Sequence, residues 1–283
     1  MRWILSASCV AFSAVAGWAG CASDEEIAAF VAAYTANTPA KALGAGGSMA
    51  DALCTQGKLA AALEPHMGPV TGYKAGLTSK PAQERFGVSE PVQGVLYQNM
   101  MLEDGAEVVM PWGAVPMVEA DLVLVVGDAG INAATTPEEV LAHVSAIRPF
   151  IELPDLTLAR GEPVTGVTLT AMGVGPKLGV LGAPVAVGDP AAMAAALETM
   201  TVTLKDAAGT ALVSVPGKAV MGNPANSVLW LMSKGVELKP GDLVSVGSFG
   251  PLFPPQKTGG GVSASYQGLP GDPVVSVSFT GGS

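Results

Sequence analysis

Charge is scarce in this chain. Asp, Glu, Lys and Arg make up 13% of its 283 residues, and 24 acids against 14 bases leave a formal net charge of −10. Without a surplus of Lys and Arg there is no electrostatic footprint for nucleic acid. An anionic ligand would need a locally positive site or a bound cation. Histidine is nearly absent: His66 and His143 are the two. Both fall in stretches of helical pattern, His66 as a helix-end residue and His143 as a helix-face residue, away from the acids discussed below. No G-x-S-x-G elbow occurs, so a Ser-His-Asp hydrolase is poorly supported. The three cysteines, Cys9, Cys21 and Cys54, form no C-x-x-C pair, which leaves a zinc site of that kind unsupported. No internal repeat is visible. Apolar residues, by contrast, reach 49%, enough for a well-filled core and contrary to the composition of a disordered chain.

The first residues, "MRWILSASCVAFSAVAGWAGCAS", set one base, Arg2, before an apolar run and then small residues. That layout is a secretory signal, assigned here to residues 1–22. The run is shorter than the ~20 residues that span a bilayer, which disfavours a permanent anchor. "WAGC" resembles a bacterial lipobox, with Trp18 where an aliphatic residue is usual. On that reading the signal is residues 1–20 and Cys21 carries a lipid anchor. The expectation is an exported protein, periplasmic or lipid-anchored. A misassigned start, a buried N-terminal helix and a cytoplasmic location are the alternatives. An oxidising compartment would let Cys21 and Cys54 pair; with Cys21 lipidated, Cys54 would be a lone buried thiol.

Residues 23–68 read as a helical part. "DEEIAAFVAAYTA" is capped by Ser23 or Asp24, and "SMADALCTQGKLAAALEPHMG" by Ser48. The "GAGGS" between them lacks the Gly-Lys-Ser/Thr ending of a phosphate cradle and reads as a plain loop. From residue 69 to 283 short apolar runs alternate with Gly and Pro. "PVTGYKAGL", "GVLYQNMML", "AEVVMP", "VEADLVLVV", "RPFIELP", "KLGVLGAPV", "GDLVSVGS", "GGVSASYQG" and "PVVSVSFTG" read as strands. "TVTLKDAAGTALVSV" reads as a hairpin turning at Ala207–Gly209. Three helices interrupt them: "TPEEVLAHVSAI", "DPAAMAAALETM" capped by Asp189, and "NPANSVLWLMSKG". Strand–helix alternation is not regular, so the expectation is an α+β fold and not a doubly wound parallel sheet.

"VEADLVLVV" raises the chemical question. Residues two apart on a strand share a face, so Glu119 and Asp121 project together from an apolar strand. Two such carboxylates repel and cost several kcal/mol, on the order given for buried ions, unless neutralised. Glu152, in "RPFIELPDL", is a third acid in similar surroundings. Three carboxylates and waters are the oxygen-rich ligand set that Mg²⁺ or Mn²⁺ prefers. The plain alternative is a strand ending at a solvated rim. Lys74, in "GYKAGLTS", is a candidate cation for a substrate carboxylate, or else a surface lysine lying along the protein. "SVGSFG" offers Ser245, Ser248 and backbone amides able to bind a carboxylate, or forms a glycine turn without a ligand. Met100 and Met101 read as core filling.

Together these pieces resemble one family. "VTGYKAGLTSKPAQERFGVSEP", "PMVEADLVLVV", "FIELPD" and "VMGNPANSVLWLMSKGVELKPGDLVSVGSF" are similar, in order, to the signatures of the 2-keto-4-pentenoate hydratase and 4-oxalocrotonate decarboxylase group of the fumarylacetoacetate hydrolase superfamily. The resemblance implies a mixed β-roll or sandwich core behind the helical N-terminal part. It implies Mg²⁺ or Mn²⁺ held by Glu119, Asp121 and Glu152, Lys74 as catalytic residue, and Lys74, Ser248 and Asp155 as substrate-binding residues. It further implies a homo-oligomer and a small 2-oxo acid, or its dienol, as substrate. The implied reaction is hydration, with decarboxylation or C–C hydrolysis on the same scaffold as alternatives. An exported keto-acid-binding protein without turnover is a third reading. Two positions depart from the family pattern. Val92 stands where an Asp is usual, which puts hydration in doubt or moves that role to Gln93 or another group. Asp121 replaces a Glu and is one methylene shorter.

Overall fold

The computed structural model describes residues 20–281. The signal reading rests mainly on residues 1–19 and so lies outside the described residues. No described helix is long and apolar enough to cross a membrane.

Two helices open the described chain, α1 (Asp24–Thr35) and α2 (Met49–Met67). Each starts where a serine can satisfy orphan amides. Ser23 accepts from the Glu26 amide while Glu26 reaches back, and Ser48 and Asp51 do the same for α2. Ile27, Phe30 and Tyr34 recur at helical spacing on α1. They are buried with Ala52, Leu59 and Leu63 of α2 in one cluster.

The rest is mixed strand and helix: β1 (Val70–Gly76), α3 (Lys80–Arg85), β2 (Val92–Tyr97), β3 (Met101–Glu103), β4 (Ala106–Val109), β5 (Glu119–Val126), α4 (Pro137–Ala142), β6 (Val144–Leu153), α5 (Gly166–Ala171) and β7 (Leu178–Leu181). Then follow α6 (Pro190–Thr199), β8 (Thr201–Asp206), β9 (Ala211–Pro216), α7 (Asn226–Ser233), β10 (Leu243–Ser245), β11 (Gly261–Gln267) and β12 (Val274–Thr280). A seven-stranded sheet has the order β2-β1-β10-β5-β6-β7-β3, and a five-stranded sheet the order β4-β12-β11-β8-β9. The β1–β10, β3–β7 and β4–β12 pairs are parallel; the other pairs are antiparallel.

Alternation along the strands decides which side chains fill the core. Ala120, Leu122 and Leu124 of β5 and Ile147 and Ile151 of β6 meet Val202, Leu204, Val262, Ala264, Val275 and Val277 of the second sheet, with Leu197 and Leu231 from α6 and α7. Each fully buried Val, Leu or Ile here contributes about 2 kcal/mol. The opposite residues of β5, namely Glu119, Asp121 and Val123, therefore face away from this core. Phe150 and Leu181 pack with Val123 on that side. The helical cluster adds Leu96 and Tyr97 of β2 and Leu169 and Ala171 of α5.

The α+β expectation, with a sandwich-like core and N-terminal helices, describes this architecture. One element differs. The helix expected through Ile147 stops at Ala142, and Val144 begins the ten-residue strand β6. The β-branched Val144 and Ile147 suit a ladder with β5, and Pro149 would break a helix that continued. His143 is thus the residue that ends α4, and its Nδ1 lies 2.8 Å from Asp128 Oδ1. The short helices α3 and α5 had no counterpart in the sequence expectations.

Cys21 and Cys54 form a disulfide, with Cα atoms 5.7 Å apart. Residues 20–22, assigned to the signal by the 1–22 boundary, pack on α2. Ala22 is buried, its amide donates to Thr55 Oγ1 at 2.9 Å, and Lys58 Nζ donates to its carbonyl at 3.0 Å. Cys54 is therefore not a lone thiol here. The disulfide also uses the sulfur that a lipid thioether at Cys21 would require.

Candidate metal centre

Glu119 and Glu152 are direct partners in the β5–β6 ladder, and Asp121 faces Phe150 two pairs further on. Directly paired residues of neighbouring strands point to one face, so all three acids share it. Glu119 is 6% exposed, and Asp121 and Glu152 are fully buried. The rim alternative, with solvated carboxylates, is thereby ruled out. One carboxylate oxygen from each acid lies within 4.8 Å of the others.

Lys74 joins them from β1. β10 lies between β1 and β5, pairing Lys74 with Ser245 and Ser245 with Val123. That row places Lys74 on the acidic face, where it is 3% exposed. Its Nζ donates to Glu152 Oε1 and, at 3.1 Å, to the Val174 carbonyl. A surface lysine is thus excluded. Two features bring that carbonyl in. Val174 sits between Gly173 and Gly175 in a turn of positive φ, itself at 61°. Gly94, the β2 partner of Lys74, leaves room for the turn; a Cβ there would lie 2.3 Å from the Gly173 carbonyl oxygen.

Three buried carboxylates against one ammonium cannot all hold a charge cheaply. Burial and the neighbouring Glu152 push Asp121 up to about 7, against the hydrogen bonds from Ser245 and the Leu122 amide. Glu119 is raised well above the usual carboxylate range by burial and by Glu152. For Lys74 burial acts downward, but Glu152 and Glu119 prevail and hold it above the ordinary lysine value. Its ammonium is the only one hydrogen-bonded to the acids among the described residues.

The donor set fits a divalent cation. It is all oxygen, carries excess negative charge and converges from two rigid strands. Glu152 Oε2 is buried and has no hydrogen-bond partner among the described residues. A buried carboxylate oxygen left bare is costly, and a cation would satisfy it.

Asp121 is held in detail. Its Oδ1 accepts from the Leu122 amide at 2.5 Å and the Gly247 amide at 3.0 Å, and its Oδ2 from Ser245 Oγ at 2.5 Å. The Gly247 amide in "SVGSFG" is therefore given to Asp121. Glycine suits that position, since its φ is 106° and a Cβ would approach the Ala75 carbonyl oxygen to 2.8 Å. Ser248 is half-buried and donates to the Gly250 carbonyl at 2.8 Å. Asp155, fully buried, accepts from the amides of Ala114, Val115 and Thr157. Both its oxygens thus hold backbone, pinning the loop before β5. Val92 pairs with Gly76, two residues beyond Lys74 on the same strands. Its side chain meets that of Val174 over Gly76: a Cβ on this glycine would lie 2.7 Å from one and 3.2 Å from the other.

Sequence reasoning missed the Val174 carbonyl and Tyr266. Tyr266, on β11, reaches across from the second sheet. Its hydroxyl lies against the carbonyls of Asp121 and, at 2.9 Å, Phe150, and accepts from the Phe150 amide at 3.2 Å. No local signal marks either residue, because both act from elements distant in sequence.

The sequence profile of the family described as fumarylacetoacetate (FAA) hydrolase C-terminal matches residues 69–272. The chain belongs to this family. Among similar relatives, a 2-keto-4-pentenoate hydratase of Dechloromonas aromatica is 30% identical over 71% of this chain and 75% of its own. A 2-hydroxyhexa-2,4-dienoate hydratase of Comamonas testosteroni is also 30% identical, over 65% of this chain and 70% of its own. The solved structure of 4-oxalocrotonate decarboxylase from Pseudomonas putida G7, complexed with magnesium and adipate, aligns with a TM-score of 0.75. It covers 92% of this chain and 99% of that one at 21% identity, a likeness of fold. Within this fumarylacetoacetate hydrolase-like fold, the acids and Lys74 lie inside the matched region.

Proposed function

We propose that the chain is a divalent-metal-dependent hydratase, a hydro-lyase acting on a small 2-oxo acid or its dienol, of the 2-hydroxypenta-2,4-dienoate kind. The observation that carries this reading is the buried meeting of Glu119, Asp121, Glu152 and Lys74 in a chain 30% identical to named hydratases.

Glu119, Asp121 and Glu152 would hold Mg²⁺ or Mn²⁺. Such a cation, when bound, supplies Lewis-acid polarisation of the carboxylate and keto oxygens of a 2-oxo acid. The residues themselves do the rest. Lys74 Nζ, protonated and buried beside Glu152, can give charge or a proton to a substrate oxygen. Burial of all four groups keeps bulk water from screening them. Ser248 and the Lys74 ammonium are the proposed contacts for the substrate carboxylate. Asp155 would act there indirectly, through the Ala114–Val115 backbone it holds.

The test is direct. Purified protein with Mg²⁺ is given 2-hydroxypenta-2,4-dienoate, and loss of the conjugated chromophore is followed. Turnover that needs the metal and is abolished in Glu152→Gln supports the reading. Decarboxylation or C–C cleavage of a longer 2-oxo acid, without hydration, would move the chain to that chemistry on the same scaffold.

A second reading is favoured by one observation. Val92 sets an apolar side chain two residues from Lys74, where the family pattern has an acid. Metal-dependent binding of 2-oxo acids without turnover would make this an exported binding protein instead.

The compartment is proposed to be oxidising, on the support of the Cys21–Cys54 bond. Mass analysis of alkylated native protein tests this: free Cys54 in freshly isolated material would contradict it.

A further inference from the structure

We propose that Ser245 is a positioning residue for the metal, acting through the carboxylate of Asp121. The inference rests on the metal-centre reading above. An aspartate carboxylate stays one methylene nearer its strand than a glutamate. That of Asp121 is drawn back by three donors, two of them backbone amides. The third, Ser245 Oγ, is the only side-chain donor to Asp121 among the described residues.

Ser245 is well built for this task. It is fully buried, and its position is fixed by ladders on both sides, to Lys74 of β1 and to Val123 of β5. Its single hydroxyl proton goes to Asp121 Oδ2. Oδ1 is held by the amides of Leu122 and Gly247 and Oδ2 by Ser245, so the planar carboxylate is fixed about its last torsion from both ends. Oδ2 keeps a lone pair for a cation in the direction this bond leaves open. Remove the hydroxyl and the rotation of the carboxylate is restrained from the Oδ1 side alone. The cation then meets a less firmly oriented Oδ2, while the backbone bonds to Oδ1 remain.

The experiment is a titration of the purified full chain with Mn²⁺, read by electron paramagnetic resonance, and with Mg²⁺ by competition. Ser245→Ala should weaken Mn²⁺ binding about 10- to 100-fold, the usual effect of losing a hydrogen bond to a metal-ligating side chain. Ser245→Thr, which keeps the hydroxyl, should stay within about threefold of the parent, and Ser245→Ala added to Asp121→Asn should change affinity by less than about twofold. A merely structural serine would lower thermal stability in Ser245→Ala and leave the affinity of the folded fraction unchanged. That result, with Asp121→Asn still weak, overturns the proposal. Parent-like affinity in Asp121→Asn would instead overturn the metal-centre reading of Asp121. If Ser245→Ala does not fold, Ser245→Cys, close in size and a weak donor, is read by the same criterion: weakened binding supports the proposal and parent-like binding overturns it.

Discussion

Glu119 stands directly opposite Glu152 in the β5–β6 ladder, and both are buried. A like-charged pair at that position is destabilising in an ordinary sheet. It persists here beside Lys74, which donates to Glu152 from β1. The site is thus a local conflict held in place by a well-packed core around it, a pattern expected of functional sites.

Lys74→Met removes the countercharge and leaves three buried acids. The metal-free chain should lose about 3–5 kcal/mol of stability at neutral pH, the usual cost of breaking a buried ion pair. Urea unfolding in chelator measures it, and Mg²⁺ should restore part of the loss. A variant as stable as the parent would mean that the buried ion pair contributes little to stability.

Acidity gives a second expectation. Asp121 is raised to about 7, and Glu119 well above the usual range. For an acid with a raised folded value, the native state keeps protons that the unfolded chain has released. Stability of the metal-free chain should therefore fall as pH rises from the ordinary carboxylate range through about 7. Cations compete with those protons, so Mg²⁺ affinity should strengthen over the same window, with proton release on binding. Calorimetry in buffers of different ionisation enthalpy would show that release. An affinity independent of pH across the window would contradict it.

Tyr266→Phe strips the hydroxyl that serves the Asp121 and Phe150 backbone. Leaving a buried carbonyl or amide unpaired should cost about 1–3 kcal/mol. The Phe150 amide should also exchange faster with deuterium than in the parent. Unchanged exchange there would show that the sheet closes without the tyrosine.

Cys54→Ser, or reduction, opens the link between residues 33 apart in sequence. A loop of this length predicts about 2–4 kcal/mol of lost stability. Thermal unfolding with and without reductant measures it. Metal affinity should not change, because the disulfide joins the segment before α1 to α2 and not the acidic strands.

Much of this was legible in order along the chain. Period-two alternation put Glu119 and Asp121 on one face of a strand, because side chains of a β-strand alternate whatever surrounds them. Ser48 and Asp189 marked helix starts, and Ser23 or Asp24 a third, because capping is a bond between residues three apart. The departure at Val92 was legible only against the pattern of the family that the chain resembles. Other features required the fold. Only the register of β5 against β6 made Glu152 the partner of Glu119, since pairing between residues 33 apart in sequence leaves no local trace. His143 looked like part of a helix until the ladder with β5 claimed Val144 to Glu152. Burial of Lys74 was settled by the turn at Gly173–Gly175 closing over it, and the bridge from Tyr266 by two sheets packing face to face. The amino acids themselves supplied the chemistry of the ligands and the period of each strand. Which ligands meet, and how far from water, was decided by non-local packing.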